Sequence, residues 1–149
     1  MAIVKEPPRR QAAALPRSPA LDAIAALEPV RAVAAVKAGL DAHLVRQLAD
    51  QLRLNLEELA IPLRMAPRTL HRRLEQGRLE LDESERLLAL IRIFTLAKQT
   101  LGSADKAVHW IKSPLQALGG QTPLQSAETQ IGLRQIEDTL IRIADVVYS

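Results

Sequence analysis

Cysteine is absent from the 149 residues. That excludes disulfides, a cysteine nucleophile and Cys-based zinc sites, and it fits a reducing compartment, so the expected location is cytoplasmic. Aromatic side chains are almost as scarce. Phe94, Trp110 and Tyr148 make up 2% of the chain, too few rings for a platform that stacks the bases of a single strand. No apolar stretch approaches the ~18 uncharged residues of a membrane span. The charged N-terminus is not followed by the apolar segment of a secretory leader, so no membrane partner is expected. His43, His71 and His109 are scattered without ligand spacing, and no metal or other cofactor is expected.

The usual catalytic motifs are also missing. There is no GxSxG, no P-loop and no GxGxxG, and Gly119-Gly120 has the wrong spacing to cradle a phosphate. The acidic pairs Glu57-Glu58 and Glu137-Asp138 are sequence neighbours on expected helices. They point ~100° apart, which suits shared acid–base chemistry poorly. The chain reads as a protein that is not an enzyme and takes no small-molecule substrate.

What is abundant is helix-forming. The chain has 25 leucines and 23 alanines, and few β-branched or aromatic residues, so the expected fold class is all-α. Charge is unevenly spread. Residues 1–81 carry 13 Lys+Arg against 9 Asp+Glu, whereas residues 82–149 carry 7 against 8. Between Arg64 and Arg78 stand five arginines and one acid, Glu75, a cluster that suits a polyanion such as DNA.

Four prolines and three arginines in residues 1–20 leave no periodic apolar face, and the expectation there is a disordered arm. Helical pattern starts at Leu21. Pro29 opens a helix with the stripe Val30, Val33, Ala34 and Val36, which Gly39 closes as a left-handed cap. Asp41 caps the next helix, with the stripe Leu44, Val45, Leu48 and Leu52. Asn55 and Glu58 form a capping box for a short helix that Pro62 bends or shortens. After a break at Arg64-Met65-Ala66, Pro67 opens a helix that runs to Gln76 and ends at Gly77. Asp82 and Glu85 read as a second capping box. It opens a long helix over 83–100, apolar on most of its circumference, which belongs in a core or at an oligomer interface. Ser103 caps a short helix holding Val108, Trp110 and Ile111, with Trp110 expected in the core. Thr122-Pro123-Leu124-Gln125 starts another, and a last helix covers 130–147.

Two short helices joined by a three-residue break, the second rich in arginine, describe a helix-turn-helix. With Leu70 taken as inward at 100° per residue, Leu74 and Pro67 also face in, while Arg68 and Arg72 lie ~160° away and face out. Thr69 and His71 flank that outer face, and Arg73 lies on its rim. Arg68, Thr69 and Arg72 are therefore the candidates for base edges, with His71 beside them. Arg64, Arg73 and Arg78 are the candidates for phosphates.

The second half carries an ordered series: Ala107-Val108-His109-Trp110-Ile111, Ser113-Pro114, Leu118-Gly119-Gly120-Gln121-Thr122-Pro123-Leu124, Thr129-Gln130-Ile131-Gly132 and Leu140-Ile141-Arg142-Ile143. It resembles the toxin-binding domain of Xre/MbcA/ParS-type antitoxins, and the upstream segment with Arg68-Thr69-Leu70 and Arg72-Arg73-Leu74 resembles their Xre-like helix-turn-helix. Arg64 stands where such chains often carry a small residue. The resemblance implies a helix-turn-helix domain over 21–81 and a small helical toxin-binding domain over 82–149. It implies an antitoxin of a type II pair that neutralises a RES-domain, NAD-degrading toxin, represses its own operon by binding operator DNA, and forms a homodimer. The last helix ends in exposed groups, and Arg142, Asp145, Val146, Val147, Tyr148 and the Ser149 carboxylate are the expected toxin contacts, reaching into or beside the NAD pocket. The alternatives are a stand-alone helix-turn-helix transcriptional regulator without a toxin partner and a small NAD-using enzyme.

Overall fold

A computed structural model describes residues 19–148. It is all-α: among the described residues the only extended pairing is a single bridge between Asp41 and Arg78. Helix α1 (Pro19–Ala25) begins two residues ahead of Leu21, so Pro19 and Ala20 leave the arm expected over 1–20; residues 1–18 lie outside the described residues. Then follow α2 (Pro29–Ala38), α3 (His43–Leu52), α4 (Leu56–Leu63), α5 (Pro67–Gln76), α6 (Leu81–Leu101) and α7 (Ala104–Ile111). A 3-10 turn over Gln116–Leu118 leads to α8 (Pro123–Ser126) and α9 (Gln130–Tyr148).

Local codes set most of these boundaries. The Asn55 side chain accepts from the Glu58 amide at 2.8 Å and Glu58 accepts from the Asn55 amide at 3.1 Å, satisfying two amides that the start of α4 leaves open. Asp41 accepts from the His43 amide, Ser103 from Lys106, and Thr122 from Gln125. Pro67 occupies the first turn of α5, and Gly77 closes that helix in the left-handed conformation. Pro62 sits one residue before the end of α4, which stops there as a short helix.

Three expectations are corrected. The inward side of α2 is Ala32, Ala35 and Val36, whereas Val30 and Val33 are 83% and 51% exposed. Small alanines let α2 lie close to α6, and Val30 and Val33 are turned out. Gly39 closes α2 with φ 86° and ψ 124°, a positive φ outside the left-handed helical well. The chain is pulled straight there because the Leu40 amide bonds the buried Ser84 hydroxyl at 2.9 Å. The capping box of α6 is Glu80 with Glu83, not Asp82 with Glu85. Leu79 is fixed by its amide bond to Leu40 O, so the chain turns into helix two residues sooner.

Helix α6 is the common spine. It packs against α1, α2 and α4 on the N-terminal side and against α7 and α9 on the other. Leu87, Leu88, Leu90, Ile91, Ile93, Phe94 and Ala97 are all buried, pointing in several directions around its axis. Its apolar circumference is thus spent within the chain and is not an exposed oligomer surface. The core is one continuous cluster, and the expected division at 81/82 falls at the start of the helix that both halves share. Trp110 is partly buried against this cluster.

Candidate functional site

Helices α4 and α5 are joined through Arg64, Met65 and Ala66. Arg64 takes the left-handed conformation (φ 55°, ψ 41°) as the cap of α4, and its amide bonds the carbonyls of Ala60 and Ile61. Ala66 is extended and accepts from the Leu70 amide at 3.0 Å. Leu70 and Leu74 are buried and hold α5 against the core. The Arg86 Nε donates to Leu63 O at 2.8 Å, tying the end of α4 to α6.

On this frame the arginines part company. Arg68 and Arg72 are exposed one helical turn apart on the outer face of α5, His71 is exposed beside them, and Thr69 is half-buried at the edge. His71 Nε2 lies 3.9 Å from Glu57 Oε1, so the first turn of α4 sets a carboxylate near this face. Arg64 is exposed at the turn. Pro67, expected inward, is exposed. Arg78 is turned back on the chain, donating to Ala38 O at 2.9 Å. Arg73 is turned in as well. Its Nε donates to Glu83 Oε1 at 2.7 Å, with Glu80 at 3.9 Å and Gln76 Oε1 at 3.2 Å. The hydrogen bond to Glu83 is the main cause that raises the Arg73 guanidinium above its usual range. The structure therefore leaves Arg64, Arg68, His71 and Arg72 exposed, with Thr69 half-buried, and engages Arg73 and Arg78 with acceptors on other elements.

In the C-terminal half, the Thr129 hydroxyl accepts from the Gly132 amide at 2.9 Å and starts α9. Ile136 and Leu140 are fully buried on the inner side of α9, which packs on α6. The helix continues to Tyr148, so the expected contact residues lie on helix rather than on an extended tail. Arg142 and Asp145 are exposed, and an Arg142 Nη donates to the Thr139 hydroxyl at 3.4 Å. Val146, Val147 and Tyr148 are exposed, and the Tyr148 hydroxyl donates to Gln99 O at 3.5 Å. Ser149 lies outside the described residues. Among the described residues no group of three His, Asp or Glu side chains could hold a metal ion, and no single helix is long and apolar enough to cross a membrane.

Comparison with known proteins matches both halves. Residues 31–92 match the antitoxin Xre-like helix-turn-helix domain, and residues 96–145 match the antitoxin Xre/MbcA/ParS C-terminal toxin-binding domain. The chain belongs to the Xre/MbcA/ParS antitoxin family. It is similar to proteins named Antitoxin Xre from Pseudomonas putida (40% identical over 86 residues, 57% of this chain and 52% of that one) and Yersinia enterocolitica (32% over 95 residues, 63% and 62%). A third, from Photorhabdus laumondii, is 31% identical over 75 residues, 50% of this chain and 51% of that one. The matched part of the chain spans about half to three fifths of the length of these curated relatives.

The stretches that carry the family likeness now have physical reasons. In Thr129-Gln130-Ile131-Gly132, threonine caps the helix, and glycine is required because a Cβ on residue 132 would run into the Ser126 carbonyl. In Leu118-Gly119-Gly120-Gln121-Thr122-Pro123-Leu124, both glycines have positive φ, Thr122 caps α8, and Pro123 opens it. Leu118 and Pro123 are buried. Two ties between the halves had no signal in the sequence. Arg53 pairs with Asp105 at 2.6 Å, and Lys112 Nζ donates to Arg53 O at 3.0 Å. These partners are 52 and 59 residues apart, beyond any local pattern.

Proposed function

We propose that this chain is the antitoxin of a type II toxin–antitoxin pair. One observation carries the reading: a match to a toxin-binding domain and a helix-turn-helix with outward arginines lie in a single chain, joined through one spine. The partner is a RES-domain toxin that degrades NAD, and the chain neutralises it by covering its active site with the C-terminal region. Arg142, Asp145, Val146, Val147, Tyr148 and Ser149 are the contacts in this reading. Its support is the exposure of Val146, Val147 and Tyr148 together at the end of α9, an apolar patch of the kind that marks a protein contact. The mode is steric, since the chain offers no catalytic constellation of its own.

The same chain represses its operon in the cytoplasm by binding operator DNA. Arg68, Thr69 and Arg72, with His71 beside them, face the major groove, and Arg64 meets a phosphate at the turn. Arg73 and Arg78 are left out, because their guanidinium groups serve Glu83 and the end of α2. A helix-turn-helix reads two half-sites about one helical turn of DNA apart, so the active form on DNA is a homodimer. Its interface is not α6, which is buried within the chain.

Co-expression with the product of the adjacent reading frame tests the whole reading. The two proteins should co-purify, and cellular NAD should fall when the neighbour is expressed alone and recover when this chain is added. If the neighbour neither binds nor depletes NAD, the chain is a regulator that acts without a toxin.

A further inference from the structure

Beside the exposed end of α9 the toxin-binding half holds a second surface. A groove lies between the last turn of α6 and the outer side of α7, lined by Leu101, Asp105, Lys106, His109, Trp110 and Ser113. Its residue names are polar, but its walls are largely carbon, and two of its polar groups are engaged within the chain. The Asp105 carboxylate is drawn to Arg53 at 2.6 Å, and the Ser113 hydroxyl donates to His109 O at 2.6 Å. The walls are then the partly buried indole of Trp110, the Leu101 side chain, the exposed His109 ring and the Lys106 side chain. Lys106 itself is exposed on the rim, and among the described residues no ion pair holds its ammonium.

We propose that this groove is a docking site for the toxin, receiving an apolar side chain of the partner with a carboxylate beside it for Lys106. The inference rests on the antitoxin reading and adds a second anchor to the α9 end. Three observations converge. Every lining residue falls within 96–145, the segment that matches a toxin-binding domain, whereas Val146, Val147 and Tyr148 lie beyond it. The groove and the α9 end both border the last turn of α6, where Tyr148 bonds Gln99 O and Leu101 lines the groove. An apolar floor with an unpaired cation at its edge is complementary to a hydrophobic side chain flanked by an acid, and a half-buried tryptophan is the residue type that anchors such contacts.

The chain has a single tryptophan, which makes the test direct. Full-length protein labelled with 5-fluorotryptophan gives one fluorine resonance, from the groove itself. It is titrated with the product of the adjacent reading frame, the partner proposed above, in a catalytically dead form. Binding is measured in parallel by calorimetry, for the parent and for Lys106→Glu. Lys106 is exposed and only its backbone serves the Ser103 cap, so this variant should keep the parent melting curve and operator affinity. The expected result is a shifted or broadened resonance at stoichiometric toxin, and a toxin Kd at least tenfold weaker in Lys106→Glu. If toxin binds while the resonance stays in place, or while Lys106→Glu binds like the parent, the groove is not a docking site and the antitoxin reading stands. If the enzyme does not bind the parent chain at all, both fall together.

Discussion

The Arg73–Glu83 pair decides whether an arginine on α5, the helix we propose reads DNA, is structural or functional, and Glu83→Gln isolates its contribution. Glutamine keeps the size of the side chain and leaves an oxygen for the Glu80 amide, which Glu83 Oε1 accepts at 2.8 Å. It removes the charge that Arg73 Nε meets at 2.7 Å. Losing the buried partner of a charge outright costs about 3–5 kcal/mol, and losing a hydrogen bond to a charged group costs about 1.5–3 kcal/mol. The lower range applies, because the Arg73 side chain is 14% exposed and retains Gln76 and Glu80 as nearby acceptors. The expected loss is therefore about 2 kcal/mol, or about 4–8 °C in Tm for a chain of this size. Thermal melting by circular dichroism, with urea unfolding for ΔΔG, reads it. A melting point within about 1 °C of the parent would refute the argument that this pair holds α5 to α6. The same logic fixes the role of Arg73 toward DNA. In Arg73→Met, well below its melting point, the slope of log K against log salt should match the parent. If Arg73 met a phosphate, the substitution would lower that slope by ~0.9.

Arg68→Ala with Arg72→Ala should weaken operator binding and lower the salt slope by ~0.9 for each phosphate no longer neutralised, with toxin neutralisation intact; unchanged binding in a mobility-shift assay would place the DNA surface elsewhere. Gly132→Ala should destabilise the α8–α9 corner by about 1–3 kcal/mol, since the new Cβ meets backbone rather than a flexible side chain, and a parental melting curve would contradict this. Deleting residues 145–149 should abolish protection against NAD loss while leaving the fold, because Ile136 and Leu140 still seat α9; full protection by the shortened chain would remove the end of α9 from the mechanism. Light scattering at micromolar concentration should give the mass of a homodimer, and a monomer on operator DNA would overturn the half-site argument.

The elements were legible where the information is local. Asn55 and Glu58 satisfy each other's amides within one turn, and Ser103, Thr122 and Pro123 act on the residues immediately after them. Such groups need no tertiary context, so reading them in order gives helix starts that the structure keeps. Where two codes compete within a few residues, position is settled from outside. By residue type Asp82 with Glu85 is the better box, since Asp is a preferred N-cap and Glu is not, yet Leu79 bonded to Leu40 O sets the start at Glu80 with Glu83. Helix α2 shows the same dependence. Val30 and Val33 have the stronger hydrophobic claim, yet Ala32 and Val36 face in because α6 lies close.

The candidate site divides by the same rule. The outward direction of Arg68 and Arg72 follows from helical period once Leu70 and Leu74 are taken inward, and the exposure of both arginines agrees with it. The period cannot say what lies opposite an arginine on the rim. By charge alone Arg73 and Arg78 read as phosphate ligands, yet each has an acceptor on another element: Glu83 ten residues on, and Ala38 O forty residues back. An arginine counts toward a DNA footprint only after the carboxylates and carbonyls within its reach are known, and those are set by packing. The footprint we propose on α5 is accordingly smaller than its charge suggests, two outward arginines flanked by Thr69 and His71 with Arg64 at the turn. One copy of so small a face binds weakly, and doubling it across two half-sites is the way such a face reaches useful operator affinity.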